Sequence, residues 1–162
     1  MQPSGDWKSY DKRHLFRMAD EHEHYADGSE RLTVELNGWK ICPFICYDLR
    51  FPVWSRNLKD NQYDLAIFVA NWPSARINAW DTLLKARAIE NLSYCIGVNR
   101  IGQDGNNVDY NGHSSVIDPK GTSLMECAGR EIMETITLSK KSLEDYRKKF
   151  PADLDADSFT IH

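Results

Sequence analysis

The run Leu65-Ala66-Ile67-Phe68-Val69 contains no polar side chain. The strand it predicts, Tyr63 to Ala70, is therefore expected to be buried on both faces, which is the demand of a layered fold. The clearest helix follows, Ile77 to Asn91, with Ile77, Trp80, Leu84 and Ala88 on one face. That stripe is expected on the sheet, leaving Lys85 and Glu90 partly free. Tyr94 to Val98 reads as another buried strand. Leu32 to Leu36 and Trp39 to Ile45 read as strands joined by the tight-turn pair Asn37-Gly38. Val53 to Leu58 fits a short helix. His113 to Ile117 and Leu124 to Cys127 flank the turn Asp118-Pro119-Lys120-Gly121. Ile132 to Leu138 reads as a last strand, and Ser139 as the N-cap of a charged helix through Lys140 to Lys149. Ala19 to Glu30 and Gly102 to Asn111 are expected as loops, and the acidic tail Pro151 to His162 as an arm. Strands alternating with helices, then antiparallel strands, indicate an α/β fold.

At 162 residues the chain suits one domain with a real core. A formal net charge of −4 leaves no basic face for phosphates, which disfavours nucleic acid as a partner. No apolar run reaches membrane-spanning length, and Met1-Gln2-Pro3-Ser4-Gly5-Asp6 is polar, unlike a signal peptide. A cytoplasmic setting without membrane contact follows, in which Cys42, Cys46, Cys95 and Cys127 stay reduced thiols. Ser4-Gly5-Asp6 with Trp7-Lys8-Ser9-Tyr10 reads as the middle of a β-hairpin without its first strand. The single unit over 1–162 is therefore expected to be incomplete at its N-terminus.

Chemistry concentrates where strands end. Ile41, Phe44 and Ile45 lead a buried strand to Cys46, and Pro52 then suits the first position of a helix. Strand, cysteine, turn and helix hold a side chain rigidly and turn backbone N–H groups toward a reacting atom. A structural core cysteine is the competing reading. A second segment, Tyr10-Asp11-Lys12-Arg13-His14-Leu15-Phe16, sets a lysine among aromatics, where desolvation suits it to proton transfer or oxyanion stabilisation; a surface basic cluster is the competing reading. A third, Val69-Ala70-Asn71-Trp72-Pro73, ends a buried strand, where sites of open α/β sheets gather.

These blocks, with Ala86-Arg87-Ala88-Ile89-Glu90-Asn91, Asn99-Arg100-Ile101-Gly102, Gly112-His113-Ser114 and Asp118-Pro119-Lys120-Gly121, resemble in order the nitrilase, or carbon–nitrogen hydrolase, superfamily. The likeness is greatest to its ω-amidase-like branch and runs from Tyr10 almost to the C-terminus. It implies an αββα sandwich, represented by its central and C-terminal part. It also implies a Glu-Lys-Cys set that hydrolyses a small ω-amide of a dicarboxylic or α-keto acid through a thioester, without metal or cofactor. Cys46 matches the nucleophile. Lys12 and the backbone N–H of Tyr47 match the oxyanion donors. The general-base glutamate of the family lies upstream of the lysine block, and no residue here matches it.

Glu21 and Glu23 fall where a supporting acid is often found, and Glu23 is taken as that acid. Asn71 and Trp72 are expected to wall the pocket, and Arg50 or Arg87 to meet a substrate carboxylate. Glu90 is expected to pair with a nearby arginine. A zinc site from His22, His24, Cys42 and Cys46 is disfavoured, because Cys42 and Cys46 sit on a strand and not in a turn. The resemblance further implies a homodimer or higher homo-oligomer. Two other readings are a truncated, catalytically incompetent family member acting through subunit contacts, and a redox sensor at Cys46.

Overall fold

The computed structural model describes residues 5–59 and 61–161; Ser4 of the expected opening hairpin lies outside them. Among these residues seven strands form one sheet: β1 (Val34–Leu36), β2 (Trp39–Ile45), β3 (Leu65–Ala70), β4 (Tyr94–Asn99), β5 (Ile101–Gln103), β6 (Asp109–Ile117) and β7 (Ser123–Ala128). Their order is β1-β2-β3-β4-β6-β5, with β7 paired to β6. The helices are α1 (Glu21–His24), α2 (Pro52–Ser55), α3 (Ile77–Glu90) and α4 (Lys140–Lys149). β2, β3 and β4 run parallel, so their C-terminal ends meet at one edge of the sheet. β1 joins β2 antiparallel through Asn37-Gly38, both at positive φ as a tight hairpin requires.

The core lies between α3 and one face of the sheet. Trp80, Leu84 and Ala88 of α3 are fully buried against Phe44, Phe68 and Cys95. Each large aliphatic or phenyl side chain sealed there contributes about 1.5–3 kcal/mol. Gly97 permits the close approach, since a Cβ there would lie 2.4 Å from Leu84 Cδ1 and 2.7 Å from Trp80 Cζ2. On the opposite face, Leu143 of α4 packs over Leu65 and Tyr94, toward the N-terminal ends of the parallel strands. Asp64 locks α4 there: it pairs with Lys140, takes Arg147 Nη1 at 3.0 Å and accepts from Lys40 N at 2.9 Å. Ser139 caps α4 by accepting from Ser142 N at 3.1 Å.

The strands and helices read from periodicity are present, and four segments differ from expectation. Ile132 to Leu138 pairs with no strand among the described residues. Its β-branched residues favour extended chain, but a ladder needs a neighbour, and Met133 is 96 % exposed. Ala19 to Glu30 contains the short helix α1, and the expected loop Gly102 to Asn111 contributes β5 and the start of β6 around its turn. Residues 7–10 form no strand. No helix among the described residues is long and apolar enough to cross a membrane.

Candidate active site

At the C-terminal ends of the parallel strands lies a cavity of ≈ 1100 Å³. β2 delivers Cys46 to its wall. The chain turns there into a short 3-10 helix, Cys46–Arg50, with α2 directly after it. Cys46 itself has φ +46°, a left-handed conformation that costs a non-glycine residue on the order of 1 kcal/mol or more. Two buried groups hold this elbow. Asp48 accepts from Ile45 N at 3.1 Å, and Arg87 of α3 donates to Leu49 O at 2.6 Å.

Lys12 lines the same cavity, and its Nζ meets Glu21 Oε2 at 2.5 Å. The same carboxylate oxygen accepts from Phe16 N at 2.8 Å, so Glu21 fixes both the ammonium and the backbone beyond it. Cys46 Sγ lies 3.9 Å from Asn71 O, which its thiol donates to. Burial pushes the Cys46 thiol up; the Lys12 ammonium and the Asn71 contact pull it down, while Glu21 and Asp48 push it up.

Asn99 at the end of β4 sets the Asn71-Trp72 corner. Its side chain accepts from Trp72 N at 2.7 Å and donates to Trp72 O at 3.0 Å and Gly112 O at 2.7 Å. Trp72 is buried and also lines the cavity. Two guanidiniums face the same space: Arg50 sits 5.2 Å from the Trp72 ring and Arg76 5.4 Å from the Phe16 ring. The β5–β6 hairpin supplies the rim with Asp104, Asn106, Val108 and Tyr110.

The structure thus brings Cys46, Lys12, Tyr47, Asn71, Trp72 and Arg50 to one cavity. Glu23 is not among its lining residues; it is exposed, and Glu21 stands beside Lys12 instead. In a helix, positions two apart project about 200° from one another, so α1 directs only one of the two inward. Reading that segment as a loop hid the phase. Arg87 is also corrected: it is buried on Leu49 O and on Glu90 Oε1 at 2.9 Å, and meets no substrate space. Glu90 is its partner, as expected. His22 and His24 are exposed while Cys42 is sealed in the core, so the four ligands of the zinc reading are not assembled. Arg76, Asn99 and Asp48 escaped the sequence reading as site residues. Arg76 carried one usable signal: it follows the Asn71-Trp72-Pro73 corner by one turn.

A carbon–nitrogen hydrolase family model matches residues 1–147, and the chain belongs to that family. Omega-amidase YafV of Escherichia coli K12 is 53 % identical over 162 residues, covering 99 % of this chain and 62 % of that protein. The 2-oxoglutaramate amidase of Bacillus subtilis is 43 % identical over 124 residues, covering 76 % of this chain and 47 % of its own length. The crystal structure of XC1258 from Xanthomonas campestris, a CN-hydrolase superfamily protein with an arsenic adduct in the active site, superposes with a TM-score of 0.96. It is 52 % identical and matches 99 % of this chain and 63 % of that one. The chain spans somewhat under two thirds of the length of these relatives.

Proposed function

We propose that this chain carries the amide-hydrolysing site of an ω-amidase, with Cys46 as nucleophile. The observation that carries the reading is the shared cavity that holds a strained cysteine, Lys12 and the Glu21 carboxylate 2.5 Å from that lysine. The Cys46 thiolate attacks the amide carbon, and the carbonyl electrons move to oxygen. Lys12 and the Tyr47 N–H stabilise that oxyanion, an interaction stronger in the transition state than in the ground state. Collapse breaks the C–N bond, the nitrogen takes up the proton that the thiol released on ionising and leaves as ammonia, and a thioester remains. Water then cleaves the thioester, giving the acid and the free thiol. Glu21 holds Lys12 in place, the part assigned to Glu23 on the sequence.

The substrate we propose is a small ω-amide that bears a carboxylate, in keeping with the names of the amidase relatives. Arg50 and Arg76 are the cationic groups set to receive that carboxylate, and Trp72 and Phe16 hold their planes. Four free thiols suit a cytoplasmic enzyme. The exposed apolar residues Phe150, Leu154, Phe159 and Ile161 support pairing of two copies through the C-terminal segment.

The test is ammonia release from 2-oxoglutaramate, with mass spectrometry of the protein during turnover. The expected result is turnover with a thioester on Cys46, lost in Cys46→Ala, whose fold is retained. Arg76→Gln is expected to raise KM several-fold for the carboxylated amide and leave a neutral amide such as butanamide unaffected. Turnover surviving in Cys46→Ala overturns the assignment. Absence of both ammonia and adduct favours the catalytically incompetent reading.

A further inference from the structure

We infer that Asp48 is the positioning residue of this site: its buried carboxylate pins the segment carrying Lys12 to the elbow carrying Cys46. The inference rests on Lys12 and Cys46 being the reacting pair proposed above.

Asp48 is 0 % exposed, where an unpaired carboxylate is costly, and four donors converge on it. One comes from its own elbow, Ile45 N at 3.1 Å. The other three come from the remote segment: Tyr10 OH at 2.7 Å, His14 N at 3.0 Å and His14 Nδ1 at 2.8 Å. A carboxylate only accepts, so its partner assigns the imidazole proton to Nδ1. Lys12 is midway between Tyr10 and His14. Both ends of that five-residue stretch are therefore tied to one side chain two residues beyond the nucleophile.

Residues 7–14 belong to no helix or strand, so no ladder fixes them. The Gly28 N–H to Lys12 O bond at 2.8 Å ties them to another loop and not to the elbow. The pin is itself braced. Tyr10 OH accepts from Trp54 Nε1 of α2 at 2.8 Å, and the His14 ring stacks on Phe51 at 3.7 Å between centroids. Loss of one hydrogen bond here loosens the tie between this stretch and the elbow.

The two ways in which Asp48 acts on Cys46 differ in sign, which makes the role testable. Its charge, like that of Glu21, opposes ionisation of the thiol, whereas Lys12 favours it. Tyr110 is the further titratable group close enough to Cys46 to interact with it. Removing only a charge eases thiolate formation; removing the pin withdraws Lys12 and hinders it. The experiment follows alkylation of Cys46 by iodoacetamide against pH, read on the Cys46 peptide by mass spectrometry. It uses the wild-type chain, Asp48→Asn, Tyr10→Phe and Lys12→Gln.

Asp48→Asn keeps the volume but turns an NH2 group toward donors. Its profile is expected to move to higher pH, with roughly tenfold slower alkylation at pH 7.5. Tyr10→Phe removes one donor and is expected to move the profile the same way by a smaller factor. A profile that stays put or moves to lower pH, in a variant whose circular dichroism matches wild type, overturns the proposal. If Asp48→Asn does not fold, Tyr10→Phe decides alone, and an unmoved profile there overturns it. Lys12→Gln separates the two levels. A shift in Lys12→Gln without one in Asp48→Asn removes Asp48 and keeps Lys12; no shift in either removes the reading of Lys12.

Discussion

Gly28→Ala tests how tightly the lysine segment is held from its other side. Gly28 is buried, and a Cβ on it would lie 2.2 Å from Asp11 O and 2.8 Å from Asp11 C. An ordinary C···O approach is about 3.3 Å or more, so the backbone at Asp11 must retreat by roughly 1 Å. Both obstructing atoms are main chain, and no rotamer change relieves them. The residue pushed is the neighbour of Lys12, whose carbonyl accepts from Gly28 N at 2.8 Å. Arg13 Nη1 also donates to Gly28 O at 3.1 Å, so both sides of the contact move together. Overpacking of this kind costs about 1–3 kcal/mol, a loss of several degrees in Tm for a chain of this size. A displacement near 1 Å in a catalytic group costs about 10²-fold in rate. Ammonia release and a thermal melt read the two effects separately. Gly105→Ala serves as control, because nothing lies within 4 Å of a Cβ there. A Gly28→Ala variant with wild-type rate and melt refutes the claim that this contact sets Lys12.

Asp64→Ala leaves Arg147 and Lys140 without their carboxylate under α4. Breaking a buried pair costs about 3–5 kcal/mol, and water reaching Lys140 keeps the loss toward the lower figure; urea unfolding measures it, and a loss below about 1 kcal/mol contradicts the bracing role. Alkaline stability follows from Cys42, whose thiol burial pushes from 9.0 to about 11. The folded chain keeps that proton while the unfolded chain releases it near 9, so stability is full below pH 9 and falls as pH rises toward 11. Burial pushes Cys95 and Tyr63 the same way, so Cys42→Val is expected to flatten the decline and not abolish it. Melting that is independent of pH between 8 and 11 contradicts this.

The parts of this molecule legible in its sequence are those with a period. β2, β3, β4 and α3 declare themselves by runs of apolar residues and a helical stripe, and the elbow by a cysteine between a buried strand and Pro52. What failed lacked either a period or a partner. Ile132 to Leu138 has strand composition, yet pairing is a property of the neighbour, which composition does not contain. α1 is four residues long, too short for a stripe, so the choice between Glu21 and Glu23 turned on a helical phase that its sequence does not display. Arg87 and Arg76 show the same limit for charge. Arg87 lies within a family-like block and Arg76 follows one, but one guanidinium closes a buried carbonyl and the other opens on the cavity, and only packing separates them.

β3 carries one more lesson, because its expected burial on both faces holds along only part of its length. Leu65 lies under α4 and Phe68 under α3, whereas Val69 is 54 % exposed, and its register partner Val98 on β4 is 45 % exposed. Ile45, the other neighbour of Val69 in register, precedes Cys46 directly, and both Ile45 and Val69 line the cavity. The uncovered apolar strip is thus continuous with the cavity that Cys46 lines. A layer placed here would take the two valines from water and wall the cavity above Cys46 in the same step. Desolvation of that kind strengthens the Lys12 charge at the thiol and at the oxyanion. Cover over this strip and desolvation of the Cys46 thiol would therefore be one packing event, since Val69 belongs to both the exposed strip and the cavity wall.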